Sequence, residues 1–66
     1  MGDGVMRVPI DAQVKCLQRE IAMRQRVYPR WVAAGRMTQA KADEEIATMR
    51  AALETVESLA ARDRLI

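Results

Sequence analysis

Histidine and phenylalanine are absent from this 66-residue chain, and cysteine occurs once, at Cys16. Without a second cysteine no intrachain disulfide can form, and without histidine the common zinc-ligand patterns are excluded. The Glu-x-x-His pairs of di-iron helical bundles are excluded on the same ground. The sequence holds no nucleophile with a neighbouring base and no Gly-rich phosphate loop. Its one acidic run, Asp43, Glu44 and Glu45, stands where the start of a helix favours negative charge. The chain therefore reads as a non-enzyme with no metal and no cofactor. Long apolar runs are also missing: none approaches the ~18 to 20 residues that span a bilayer, so no membrane partner is expected and the expected location is the cytoplasm. Met6 stands where an N-myristoylation signal following Gly2 would need Ser or Thr, so no lipid anchor is expected.

A chain this short forms one small domain, near the size at which a single core barely offsets the entropy of the chain. With disulfides and metals excluded, self-association is the remaining means of support. The net charge of +2 is unevenly placed. Residues 1–36 hold seven basic against three acidic side chains and residues 37–66 hold four against six, so the halves carry +4 and −2. Opposite charges favour pairing of the two halves and leave a basic outer face on the first.

The pattern along the chain is helical. Residues 1–8, with Gly2 and Gly4 and no periodicity, read as a flexible leader. Helix one is expected over about 10–34, with Pro9 at its first turn and Asp11 as N-cap. Its stripe runs through Val14, Leu17, Ile21, Tyr28 and Trp31 at alternating steps of three and four, with Arg24 filling the missing step. Gly35 suits the left-handed residue that ends a helix, and the turn is expected over 35–37. Helix two is expected over about 38–62, with Thr38 as N-cap and Met37 placed to pack against Ala42. Ala42, Ile46, Met49, Leu53, Val56 and Ala60 form its heptad seam, and Leu59 widens it near the end. Arg62 and Arg64 complement the C-terminal dipole.

So short a connection forces an antiparallel return, so the predicted fold is all-α: a two-helix hairpin whose first helix kinks or restarts at Pro29. One stripe per helix is little burial against an ordering cost of about 1.5 kcal/mol per residue, so a homodimer or a higher even-numbered bundle is expected. The predicted seam of that assembly is Val14, Leu17 and Ile21 with Ala42, Ile46, Met49, Leu53, Val56 and Ala60.

Two constellations could carry binding. Lys15, Arg19, Arg26 and Arg30 share a narrow arc opposite the apolar stripe, a basic ridge suited to a nucleic-acid backbone or an acidic surface. It comes without base-reading Asn or Gln at helix-turn-helix spacing, so nucleic acid is the weaker expectation. The second is the cluster of Arg24, Tyr28, Arg30 and Trp31, which contains both aromatic residues of the chain. Arg24 projects into the apolar stripe and must be paired there. One reading pairs it with Glu44, Glu45 or Thr48 of helix two. The other sets Arg24 and Arg30 on the phosphate of a nucleotide, with Tyr28 or Trp31 stacked on a base. Tyr28 and Trp31 serve equally well as core or interface residues with their polar tips at the edge. Met6, Met23, Met37 and Met49 read as apolar filler, and Cys16 as a small half-buried residue.

The stretches Glu20-Ile21-Ala22-Met23-Arg24, Val27-Tyr28-Pro29-Arg30, Ala34-Gly35-Arg36-Met37-Thr38 and Ala42-Asp43-Glu44-Glu45-Ile46-Ala47-Thr48-Met49 resemble small phage- and prophage-encoded helical proteins. The Gly35-Arg36-Met37-Thr38 turn is also similar to the helical hairpin of short C-terminal (SHOCT) domains, which are linked to oligomerisation, although Ala42 stands where those domains usually place an aromatic. The phage resemblance implies action inside a bacterial host and a counter-defence or host-modulating role, by sequestering an anionic nucleotide signal or masking a host protein. The alternatives are a purely structural assembly module and a weak nucleic-acid binder acting through the basic ridge.

Overall fold

The structure is a computed structural model describing residues 7–65. Six of the eight residues of the expected leader, 1–6, lie outside the described residues, and Arg7 and Val8 precede the first helix without regular structure. Two helices follow, α1 over Ile10–Ala33 and α2 over Gln39–Leu65, and they pack against each other as a hairpin. The all-helical hairpin and its turn thus stand as the residue pattern predicts.

The start of α1 differs from expectation in its cap. Pro9, at φ −58° and ψ 148°, is the capping residue and offers no side-chain hydrogen bond. Its carbonyl accepts from the backbone N–H groups of Ala12 and Gln13 at 3.1 and 3.2 Å. Proline already holds the φ angle a helix needs and has no N–H to leave unpaired, so the helix starts as soon as the ring ends. Asp11 accordingly lies inside the first turn, where it meets the positive end of the dipole. Its carboxylate accepts from Nη2 of Arg64 on α2 at 3.2 Å instead of capping its own helix.

Helix α1 does not restart at Pro29: it runs unbroken through that residue to Ala33. It then ends in a complete Schellman motif. Arg36 N–H donates to the Trp31 carbonyl at 2.9 Å, and Gly35 N–H donates to the Val32 carbonyl at 3.1 Å. Gly35 takes φ +76° to make this possible. Helix α2 opens as predicted, with Thr38 Oγ1 accepting from the Lys41 backbone N–H at 3.1 Å. It continues to Leu65, beyond the expected end near residue 62, with Arg62 and Arg64 in its last turn.

The two stripes meet along the hairpin. Ile21, Tyr28, Ala42 and Ala60 are buried, and Val14, Leu17, Ile46, Met49, Leu53 and Val56 are half-buried. Ala42 and Ala60 sit near the two ends of the α2 stripe, and side chains this small let the helices approach closely there. Among the described residues no side chain falls below 2% exposure. The core is therefore a single seam two helices wide. Val27 and Val32, which fall off the strict stripe, are half-buried as well.

Candidate functional site

The Arg24, Tyr28, Arg30 and Trp31 cluster occupies the last three turns of α1, and the helix separates its members by face. Tyr28 points to the seam and is 8% exposed. Trp31 lies at the rim of the seam and is 42% exposed, more open than a core residue would be. Three residues on a helix bring two side chains near each other, and the rings of Tyr28 and Trp31 lie 5.7 Å apart at 35°. Arg30 follows the exposed outer face of the helix. On a helical projection it stands about 100° from Trp31, so it does not share the aromatic hollow.

Arg24 finds its partner within its own helix. Nη1 donates to Oε1 of Glu20 at 2.8 Å and to the Glu20 carbonyl at 3.1 Å. This corrects the expected pairing with Glu44, Glu45 or Thr48 of α2. Four residues along a helix bring the two side chains onto one face, so Glu20 is within reach without any change in the backbone. The pair remains partly open to solvent, with side-chain exposures of 29% for Arg24 and 38% for Glu20. The hydrogen bond that Arg24 donates to Glu20 raises the Arg24 pKa above its ordinary value; burial acts against this and the Tyr28 side chain adds to it. A shallow hollow of about 270 Å³ lies over these residues, lined by Met23, Arg24, Val27, Tyr28 and Trp31. Its walls are mostly apolar, and the one charged group on them, the Arg24 guanidinium, is already paired with Glu20.

The basic ridge of Lys15, Arg19, Arg26 and Arg30 lies on the outer face of α1, and all four residues are exposed. None of them forms an ion pair among the described residues. Cys16 is exposed rather than half-buried as expected, because it falls just past the edge of the stripe next to Leu17. It lines a second hollow with Val8, Ala12, Gln13 and Leu17. A third lies over the turn, between Trp31, Gly35, Arg36, Met37, Thr38 and Lys41.

Two polar links between the helices were missed in reading the sequence. Gln18 Nε2 donates to Oε2 of Glu57 at 3.5 Å, and Arg64 Nη2 donates to Oδ1 of Asp11 at 3.2 Å. Their spacing offers a signal that could have found them: 11 and 18 on α1, like 57 and 64 on α2, are seven residues apart and share one helical face. On α2 itself Lys41 bridges Glu44 at 3.6 Å and Glu45 at 3.4 Å. The hydrogen bond to Glu45 is the main reason its pKa lies above the ordinary lysine value, with the charge of Glu44 next.

Among the described residues no group of acidic or cysteine side chains is placed to hold a metal ion, and no helix is long and apolar enough to cross a membrane. No family model, no curated protein and no solved structure matches the chain.

Proposed function

We propose that this chain is a non-enzymatic helical assembly module that works by binding, its hairpins associating with one another into a homodimer or a higher even-numbered bundle. The observation that carries the reading is the incomplete core. Among the described residues four are buried, none of them completely, while six further stripe residues remain half open to water. A second hairpin laid on the first would complete a four-helix bundle and cover what one seam leaves exposed.

Within the host-modulating role that the phage resemblance suggests, this arrangement favours masking of a protein over capture of a nucleotide. A phosphate would have to draw Arg24 away from Glu20, and Tyr28 is already buried against Trp31. Arg30 stands on a different face from both. Native mass spectrometry of protein purified gently from a bacterial host tests the reading in one spectrum. A bare dimer or higher even-numbered species is expected. A monomer would sink the assembly argument, and an oligomer carrying extra mass of nucleotide size would restore the sequestration reading.

A further inference from the structure

The two flanks of the hairpin differ in kind. One is marked by the interhelical links, Asp11 with Arg64 and Gln18 with Glu57, and one heptad further along it come Gln25 and Arg50. The opposite flank carries Glu20, Arg24, Val27 and Trp31 on α1 and, by the same projection, Ala52 and Leu59 on α2 beside the polar Thr48, Asp63 and the bridged pair Lys41 and Glu45. Among the described residues, the large apolar helical side chains most open to water are Met23 at 39%, Trp31 at 42% and Leu59 at 46%; Trp31 and Leu59 fall on this flank and Met23 lies at its border.

The exposed apolar side chains alone would suit many partners. The charged pair in its middle narrows the choice. Glu20 and Arg24 stand one turn apart with opposite signs. A two-fold axis crossing α1 midway between them sets Glu20 of each copy against Arg24 of the other, the self-complementary match of an isologous interface. The same axis places Val27 against Leu17 of the second copy, half-buried apolar side chains in both cases, and lays Trp31 beside Gln13. The size agrees as well. A flank about 36 Å long and two helices of about 10 Å wide offers roughly 700 Å², close to the ~800 Å² per partner of a stable complex.

We infer that this flank is the surface that takes a second copy of the chain, two hairpins packing face to face about a two-fold axis between Glu20 and Arg24, with Trp31 covered on association. The inference rests on the assembly reading above and adds which face is used. Its first test needs no mutation, because Trp31 is the sole tryptophan. Sedimentation equilibrium fixes the dimer fraction across a concentration series, and acrylamide quenching of Trp31 is followed over the same series. The quenching constant is expected to fall at least twofold as dimer forms. A dimer whose Trp31 stays as quenchable as in dilute protein overturns the face while leaving the assembly reading standing; a monomer at every concentration overturns both.

The second test is complementation in trans, with circular dichroism confirming that each variant remains helical. Glu20→Arg makes the centre of the flank wholly positive, and Arg24→Glu makes it wholly negative. Each alone is expected to shift dimerisation to at least tenfold higher concentration, and an equimolar mixture is expected to restore it as a heterodimer. An ion pair confined to one helix cannot be rescued by another molecule, so loss of dimer without rescue on mixing, or no loss at all, overturns the two-fold pairing.

Discussion

Gly35→Ala isolates the cost of one backbone angle. Gly35 ends α1 at φ +76°, and a methyl group built there meets no atom within 4 Å. Steric collision with the rest of the hairpin is therefore excluded, and what remains is the strain of an L-residue in the left-handed region. That strain is about 1–2 kcal/mol, from the approach of Cβ to the neighbouring carbonyl. Alanine also restricts the unfolded chain, which returns about 0.4–1 kcal/mol. The expected net loss is thus about 1 kcal/mol, with both Schellman hydrogen bonds retained. Asparagine tolerates the left-handed region better than alanine, so Gly35→Asn is expected to lose about half as much. Urea denaturation followed by circular dichroism at 222 nm measures both. Protein concentration must be held fixed, because association would shift apparent stability by mass action. A loss for Gly35→Ala below about 0.3 kcal/mol would refute the role given to the positive φ. A loss above about 3 kcal/mol would mean that the methyl group does collide with something, and asparagine performing worse than alanine would refute the backbone argument itself.

Ile21 is 5% exposed in the middle of α1, so Ile21→Ala is expected to cost about 2–5 kcal/mol and to unfold much of the protein; a urea midpoint unchanged from the parent would show that the seam does not run through it. Thr38→Ala removes the oxygen that accepts from Lys41 N–H and is expected to cost about 1 kcal/mol, with hydrogen exchange accelerated in the first turn of α2 rather than throughout. Cys16 is exposed, so a thiol reagent should modify it fully without denaturant, and modification requiring urea would contradict its placement. The Lys41 pKa is raised in the folded chain, so the stabilisation by Glu45 and Glu44 is present in full below the ordinary lysine pKa and is lost as pH rises through the higher folded value. Thermal melts taken through that alkaline window should show a decline in the parent that Lys41→Met lacks; equal declines in both would remove Lys41 as the cause.

The parts of this protein legible in its sequence are those that depend on a few neighbouring residues. Gly35 at the end of α1, Thr38 at the start of α2 and the heptad from Ala42 to Ala60 all follow from local rules of capping and period, and the structure places each where those rules put it. Even the missed cap has a local cause, since Pro9 can begin a helix without help from Asp11. In the candidate site, the sequence identified Tyr28 as an inward aromatic and Lys15, Arg19, Arg26 and Arg30 as an exposed ridge, because both follow from angular position on one helix.

What the sequence left open is set by how one helix is turned about its axis against the other. By its position on the stripe Arg24 could reach α2, and in the folded chain it pairs instead with Glu20 of its own helix. Whether Cys16 and Trp31 lie within the seam or beyond its edge depends on a rotation of a few tens of degrees, which periodicity alone does not specify. The links from Asp11 to Arg64 and from Gln18 to Glu57 join residues 53 and 39 positions apart, and their register exists only once the turn has brought α2 back along α1. The turn, the start of α2 and the periodic stripes are thus written in the chain, because local sterics and burial period determine them, whereas the end of α2 runs on to Leu65 past the expected limit. The pairing of charges and the division of the hairpin into a linked flank and an open one belong to the tertiary structure, because they depend on the rotation and register of two helices that no single helix contains.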